Sequence, residues 1–221
     1  MRKLWVVGVG PGAPDLLTLR AVEVLKASEV VFYPVKGKGK SSVALDTARP
    51  HIPDGVELVP LLFPMTKDRE VLEEAWERSA RTILNHPFSE ASFITIGDPS
   101  IYSTYFYLHS KLADRIDIEF VPGVTSLSAC CASMGMPLVL GDEDLYVASA
   151  SHDPNKIPDV STIVYMKLPR DRGDLESLFE KLKGKGYRVF FASDCQKSAE
   201  RIVEGRIPED YSYMAMLIAK R

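Results

Sequence analysis

The chain alternates short apolar runs with segments whose apolar residues return every three or four positions. Residues 3–9 form a valine-rich run of strand length that ends among glycines. After the loop Pro11-Gly12-Ala13-Pro14, Asp15 is placed to cap a helix whose Leu17, Ala21, Val24 and Leu25 share one face. Residues 30–33 predict a second strand. A lysine-rich loop with Gly37 and Gly39 precedes a short helix over 42–48, and 56–60 predicts a third strand. The strongest helical period covers 68–85, with Val71, Leu72, Ala75, Trp76, Ile83 and Leu84 on one side. A strand over 92–96, a helix over 101–113 and a strand over 116–121 complete this half. Strand and helix in regular succession predict an α/β fold with a mostly parallel sheet covered on both faces.

Past Pro122-Gly123 the rhythm changes. A helix over 126–134 is followed by strand-like runs at 145–150, 162–166, 188–192 and 211–219. Only one strong helical segment, 175–183, lies among them. Fewer helices per strand predicts a second, more antiparallel domain. The expected boundary lies near residues 120–123, giving domains 1–120 and 121–221.

Composition narrows the class. The 221 residues are 46% hydrophobic and 26% charged, which is ordinary for a globular chain. No apolar run approaches the ~20 residues of a membrane-spanning helix, and the start of the chain lacks the pattern of a secretory signal. A formal charge of −3 gives no reason to expect a nucleic-acid binder. Cys130, Cys131 and Cys195 show no metal or disulfide spacing, so buried thiols in a reducing cytosol are expected. His51, His86, His109 and His152 are scattered, which predicts no metal site.

Three glycine-containing loops follow strands. The first, Val7-Gly8-Val9-Gly10-Pro11-Gly12-Ala13, fits the dinucleotide-binding spacing in form. The second strand, however, ends Tyr33-Pro34-Val35-Lys36 without the acid that would hold a ribose, and Pro11 removes one N–H donor. A nucleotide-linked oxidoreductase is therefore the alternative reading, and a plain tight turn the simpler one. The second loop is Ile96-Gly97-Asp98-Pro99-Ser100-Ile101-Tyr102-Ser103-Thr104, where Asp98 and Ser100, taken alone, are best read as helix starters. The third, Val121-Pro122-Gly123-Val124-Thr125-Ser126, again joins a strand end to a helix start.

The order and spacing of the three loops resemble the tetrapyrrole methyltransferases, over essentially the whole chain. The resemblance rests on Gly8-Val9-Gly10-Pro11-Gly12 with Leu16-Leu17-Thr18, on Gly97-Asp98-Pro99 with Tyr102, and on Pro122-Gly123-Val124-Thr125-Ser126. Further stretches are similar to the branch that methylates carbon 20 of precorrin-2 or of cobalt-factor II/cobalt-precorrin-2. They are Tyr33-Pro34-Val35-Lys36, Leu61-Leu62-Phe63-Pro64-Met65-Thr66-Lys67-Asp68, Ser100-Ile101-Tyr102-Ser103-Thr104 and Val164-Tyr165-Met166-Lys167, with Gly135-Met136-Pro137-Leu138 and Gly141-Asp142-Glu143 in agreement. One position departs from the family: Ala13 stands where an acid usually precedes the proline.

The resemblance implies two αβα domains of the class III methyltransferase type, with the active site in the cleft between them. It implies S-adenosylmethionine as methyl donor, a tetrapyrrole substrate, no protein-bound metal, a homodimer, a cytoplasmic setting, and neither nucleic acid nor membrane as partner. Asp98, Ile101, Tyr102, Thr125, Ser126, Met166 and Ala215 would line the donor site. Gly10, Pro11, Gly12 and Lys36 would face the substrate, whose carboxylates give Lys38, Lys40, Arg49 and Lys167 plausible work. Tyr102 and Asp15 are the candidates for a general base. Methyl transfer to another ring position is the nearest alternative.

Overall fold

The computed structural model describes residues 2–37, 39–150, 157–212 and 214–221. Two compact units divide the chain, Met1–Thr125 and Ser126–Arg221.

The first unit is a five-stranded sheet. Its strands are β1 (Lys3–Gly8), β2 (Val30–Val35), β3 (Glu57–Leu62), β4 (Glu90–Thr95) and β5 (Asp117–Val121), and its helices are α1 (Leu19–Ala27), α2 (Val43–Ala48), α3 (Arg69–Asn85) and α4 (Phe106–Leu112). The order is β3-β2-β4-β1-β5, with every pairing parallel. Right-handed crossovers dictate where the helices go. The steps from β1 to β2 and from β2 to β3 move toward one edge and place α1 and α2 on one face. Those from β3 to β4 and from β4 to β5 move the other way and place α3 and α4 opposite. The buried clusters agree: Ala21, Leu25, Ala44 and Ala48 pack with Val7, Val31 and Ile94, while Ala80, Ile83, Leu108 and Leu112 pack with Leu4, Phe32 and Phe93. Alternation along each strand sends neighbours such as Val6 and Val7 into different clusters.

The second unit carries α5 (Ser126–Met134), β6 (Leu145–Ser149), β7 (Thr162–Met166), α6 (Arg172–Gly184), β8 (Arg188–Ser193), β9 (Arg201–Glu204) and β10 (Met216–Lys220). Its sheet runs β6-β7-β10-β8-β9; only β6 and β7 pair in parallel. Leu175, Leu178, Phe179 and Leu182 of α6 cover it against Tyr165, Val189, Phe191 and Leu217.

Local chemistry sets the helix starts. Asp68 accepts from the amides of Glu70 and Val71, and Asp171 from that of Asp174. Some expectations are corrected. Asp15 does not cap α1; Thr18 does, accepting from Ala21 N at 3.1 Å, because Pro14–Leu16 form a separate 3-10 turn. Asp98 and Ser100 do not start a helix either, since α4 begins only at Phe106, after the left-handed Tyr102. Val71, expected on the packed face of α3, is 45% exposed. The strand β9 had no sequence signal, and the last strand begins at Met216 rather than at 211. Cys130 and Cys195, expected as thiols, form a disulfide, and Cys131 stays free and buried.

Candidate active site

Open α/β sheets bind ligands at their carboxyl edge, where neighbouring strands send their connections in opposite directions. In the first unit that point lies between β1 and β4. The connection from β1 runs to β2 and that from β4 to β5, so the loops at 8–18 and 96–105 leave side by side. The loop after β5 joins them. These are the three loops that the sequence marks.

Glycine makes their meeting possible. A Cβ on Gly8 would lie 2.6 Å from Gly97 O and 2.7 Å from Gly123 N. A Cβ on Gly123 would overlap Gly97 O still more severely. Backbone bonds then lock the first two loops together: Gly97 N donates to Gly10 O at 2.7 Å, and Gly10 N to Gly97 O at 3.3 Å. Beneath the first loop, Thr47 Oγ1 donates to Gly12 O at 3.4 Å and His51 Nε2 lies 2.8 Å from Pro14 O. The first helix starts only at Leu19, well past Gly12. A dinucleotide cradle needs the helix N-terminus directly behind its glycines, so this geometry disfavours the oxidoreductase reading.

Asp98 ties the second loop to the third. Its Oδ2 accepts from Gly123 N at 2.9 Å, while Oδ1 accepts from Ser100 N at 2.8 Å and from Ser100 Oγ. Burial alone would raise the pKa of this carboxyl. The donors from Ser100 and Gly123 outweigh burial and hold it below the usual carboxylate value, so Asp98 is ionised at neutral pH. Ile101 N bonds Asp98 O at 3.2 Å. Tyr102 then takes φ 52° with its side chain 43% exposed, a conformation that costs an aromatic residue about 1–2 kcal/mol. Ser103 Oγ turns back to Thr95 Oγ1 at 3.2 Å.

Of the residues singled out in the sequence, Gly10 is bonded to Gly97, the chain neighbour of Asp98, through backbone, with Gly12, Ile101 and Tyr102 in the same loops. Asp15 is exposed on the 3-10 turn. Lys36 follows β2, on the far side of β4 from β1, and is exposed. Lys40 and Arg49 are exposed as well, whereas Lys38 and His152 lie outside the described residues. Thr125 and Ser126 are half-buried at the junction of β5 and α5. Ser100, Thr47 and His51 were not anticipated as supports. The spacing Gly97-Asp98-Pro99-Ser100 held the one available signal, since Pro99 keeps the chain extended before a hydroxyl.

In the second unit β6, β7 and β8 point the same way, so their carboxyl ends share an edge with the start of β10. Met166 follows Tyr165, which faces Leu217, and Ala215 is buried two residues before that partner. Lys167, Asp194 and Gln196 all take positive φ here, at 51°, 50° and 65°. Asp194 and Lys197 pair at 3.1 Å while mostly buried. The Cys130–Cys195 disulfide fastens this edge to α5, with Cα atoms 5.1 Å apart.

Among the described residues no group of three or more His, Cys, Asp or Glu side chains is placed to hold a metal, and no helix is long and apolar enough to cross a membrane.

The comparisons with known proteins converge. A Methanocaldococcus jannaschii protein named probable cobalt-precorrin-2 C(20)-methyltransferase is 37% identical over an alignment covering 100% of this chain and 97% of its own. A Sinorhizobium protein named precorrin-2 C(20)-methyltransferase is 32% identical over 75% of this chain and 73% of its own. The solved uroporphyrin-III C-methyl transferase of Thermus thermophilus, complexed with S-adenyl homocysteine, shares the fold with a TM-score of 0.66 at 24% identity, covering 99% of this chain and 97% of that one. Residues 3–209 match the family described as Tetrapyrrole (Corrin/Porphyrin) Methylases, and the chain belongs to it.

Proposed function

We propose that this chain transfers a methyl group from S-adenosylmethionine to carbon 20 of precorrin-2, or of its cobalt-containing counterpart, in cobalamin biosynthesis. The observation that carries the reading is the 37% identity to the Methanocaldococcus jannaschii protein along the full chain. The 32% identity to the Sinorhizobium protein supports the same ring position.

The proposed donor contacts are Asp98, Ile101, Tyr102 and Thr125 from the first unit and Ser126, Met166 and Ala215 from the second. Gly10, Pro11, Gly12 and Lys36 are the proposed substrate contacts. The sulfonium supplies an activated methyl group, so the chemistry asks for alignment and dryness rather than a protein nucleophile. The residues fit that demand. Gly8 and Gly123 let the backbones of the three loops converge without a side chain between them, and the ionised Asp98 offers a fixed negative charge. In the transfer the S–CH3 bond breaks as the bond to the meso carbon forms, and the proton on that carbon then leaves. Tyr102 and Asp15 are the proposed candidates to receive it. The same reading carries a homodimer in the cytoplasm, with no resident metal, and with neither nucleic acid nor a membrane as partner.

Mass spectrometry and NMR of the product from precorrin-2 and from cobalt-factor II test this directly. One added methyl at carbon 20 is expected. A methyl at another ring position overturns the regiochemistry, and tight NAD binding with no S-adenosyl ligand bound overturns the whole reading. Sedimentation as a monomer at micromolar concentration would remove the dimer.

A further inference from the structure

The geometry points to Ser100 as a positioning residue for methyl-donor binding, acting through Asp98 on the turn at Gly123. This inference rests on the methyltransferase reading, since it concerns the same loops.

A carboxylate has about four acceptor positions on two oxygens. Three of those on Asp98 are committed inside the protein. Ser100 supplies two donors, its amide at 2.8 Å and its hydroxyl, and both go to Oδ1. That double contact fixes the rotation of the carboxylate. Oδ2 is thereby aimed at Gly123 N, 2.9 Å away and 25 residues along the chain. The bond to Gly123 joins the carboxyl end of β4 to that of β5.

A Cβ on Gly8 or on Gly123 would collide with backbone of the crossing, and Gly97 carries no side chain. The tie must therefore come from a group outside the crossing that reaches back to it. Asp98 is next to Gly97 in sequence, and Ser100 is the residue that orients it. Thr125, a proposed donor contact, lies two residues beyond Gly123, so the position of that turn is inherited by Thr125.

Ser100 itself has an exposed side chain and lies outside the hydrophobic clusters, so its removal leaves the core intact. Ser100→Ala deletes the hydroxyl bond and keeps the amide bond. The expected result is a KM for S-adenosylmethionine raised about 3- to 10-fold, the worth of one ordinary hydrogen bond, with kcat unchanged. Ser100→Thr, which keeps a hydroxyl, restores the wild-type KM. Asp98→Asn keeps one acceptor oxygen but places an NH2 group where a second acceptor was. It weakens binding by about 10-fold or more, as expected for losing a charged acceptor.

The test is titration calorimetry of the full chain with S-adenosylhomocysteine, beside steady-state kinetics and thermal melts. Wild-type protein is titrated first, and an absence of binding there overturns the methyltransferase reading itself. With wild-type binding in hand, unchanged KM and affinity in Ser100→Ala overturn the positioning role. A fall in melting temperature without a change in KM also overturns it, because it assigns Ser100 to stability alone. A raised KM with unchanged kcat, rescued by threonine, supports it.

Discussion

The carboxyl edges of the two sheets solve one problem in different ways. Each gathers several strand ends into a small space and needs backbone in unusual conformations. The first sheet does this with glycine: Gly8, Gly97 and Gly123 approach so closely that hydrogen bonds and one carboxylate suffice to lock them. The second sheet does it with full side chains. Lys167, Asp194 and Gln196 sit at positive φ, and a covalent bridge from Cys130 to Cys195 holds the segment in place. Removing side chains lets backbone pack directly on backbone, whereas keeping them at strained positions requires a stronger tether. The first edge thus brings loop backbones together, whereas the second keeps side chains at its strained positions.

The tether is where the contrast breaks most sharply. Cys130 and Cys195 are 65 positions apart, and closing a loop of that length stabilises a fold by about 4 kcal/mol in the chain-entropy account. The double variant Cys130→Ser, Cys195→Ser is expected to lose about that much in denaturant unfolding. A loss below about 1 kcal/mol would show that hydrogen bonds hold the second edge as they hold the first. With both partners replaced, Cys131 is the one cysteine left in the chain and has nothing within it to pair with.

The glycine side of the contrast predicts a graded response. Gly123→Ala drives a methyl group into Gly97 O and is expected to cost about 3 kcal/mol. Gly97 has open space around its Cβ position but φ +70°, so Gly97→Ala is expected to cost only the left-handed strain, about 1–2 kcal/mol. Equal losses in the two would mean that conformation, rather than close approach, explains the glycines. On the second edge the reverse change applies. Lys167→Gly relieves strain and is expected to stabilise by up to about 1 kcal/mol, net of the entropy glycine adds to the unfolded chain. Tyr102→Gly, on the first edge, gains a similar amount while lowering methyl-transfer activity. A variant that gains stability and keeps full activity would remove Tyr102 from the site.

Much of the architecture is legible in the chain, because it follows from local periodicity and short loops. The parallel sheet of the first unit could be read from strand and helix runs of the right lengths, and Gly97-Asp98-Pro99 marked the correct strand end. What escaped depends on contacts far apart in sequence. The Cys130–Cys195 pair exists because α5 and the end of β8 meet in the fold, and no spacing encodes that. The strand β9, with the sequence Arg-Ile-Val-Glu, is too short and polar to announce itself and is paired only through β8. Asp98 was ambiguous for a related reason. An aspartate two residues before a serine reads locally as a helix start, and the amide of Gly123, supplied by the loop after β5, makes it a tie between loops.

That tie makes the smallest prediction, and one that separates the two edges by pH. The Asp98 carboxyl is held below its usual value, so it binds its proton less readily folded than unfolded. A group of this kind contributes stability that is fully present above the unfolded pKa, near 4 for aspartate, and is lost as pH falls through the depressed folded value. Melting temperatures of wild type and Asp98→Asn measured from pH 6 down to pH 3 should therefore converge as the wild-type carboxylate takes up its proton. The disulfide carries no titrating group, so the gap between wild type and the Cys130→Ser, Cys195→Ser variant should persist across the same range. A gap for Asp98→Asn that stays constant to pH 3 would mean the residue acts through shape rather than charge, and the pH contrast between the two edges would then vanish.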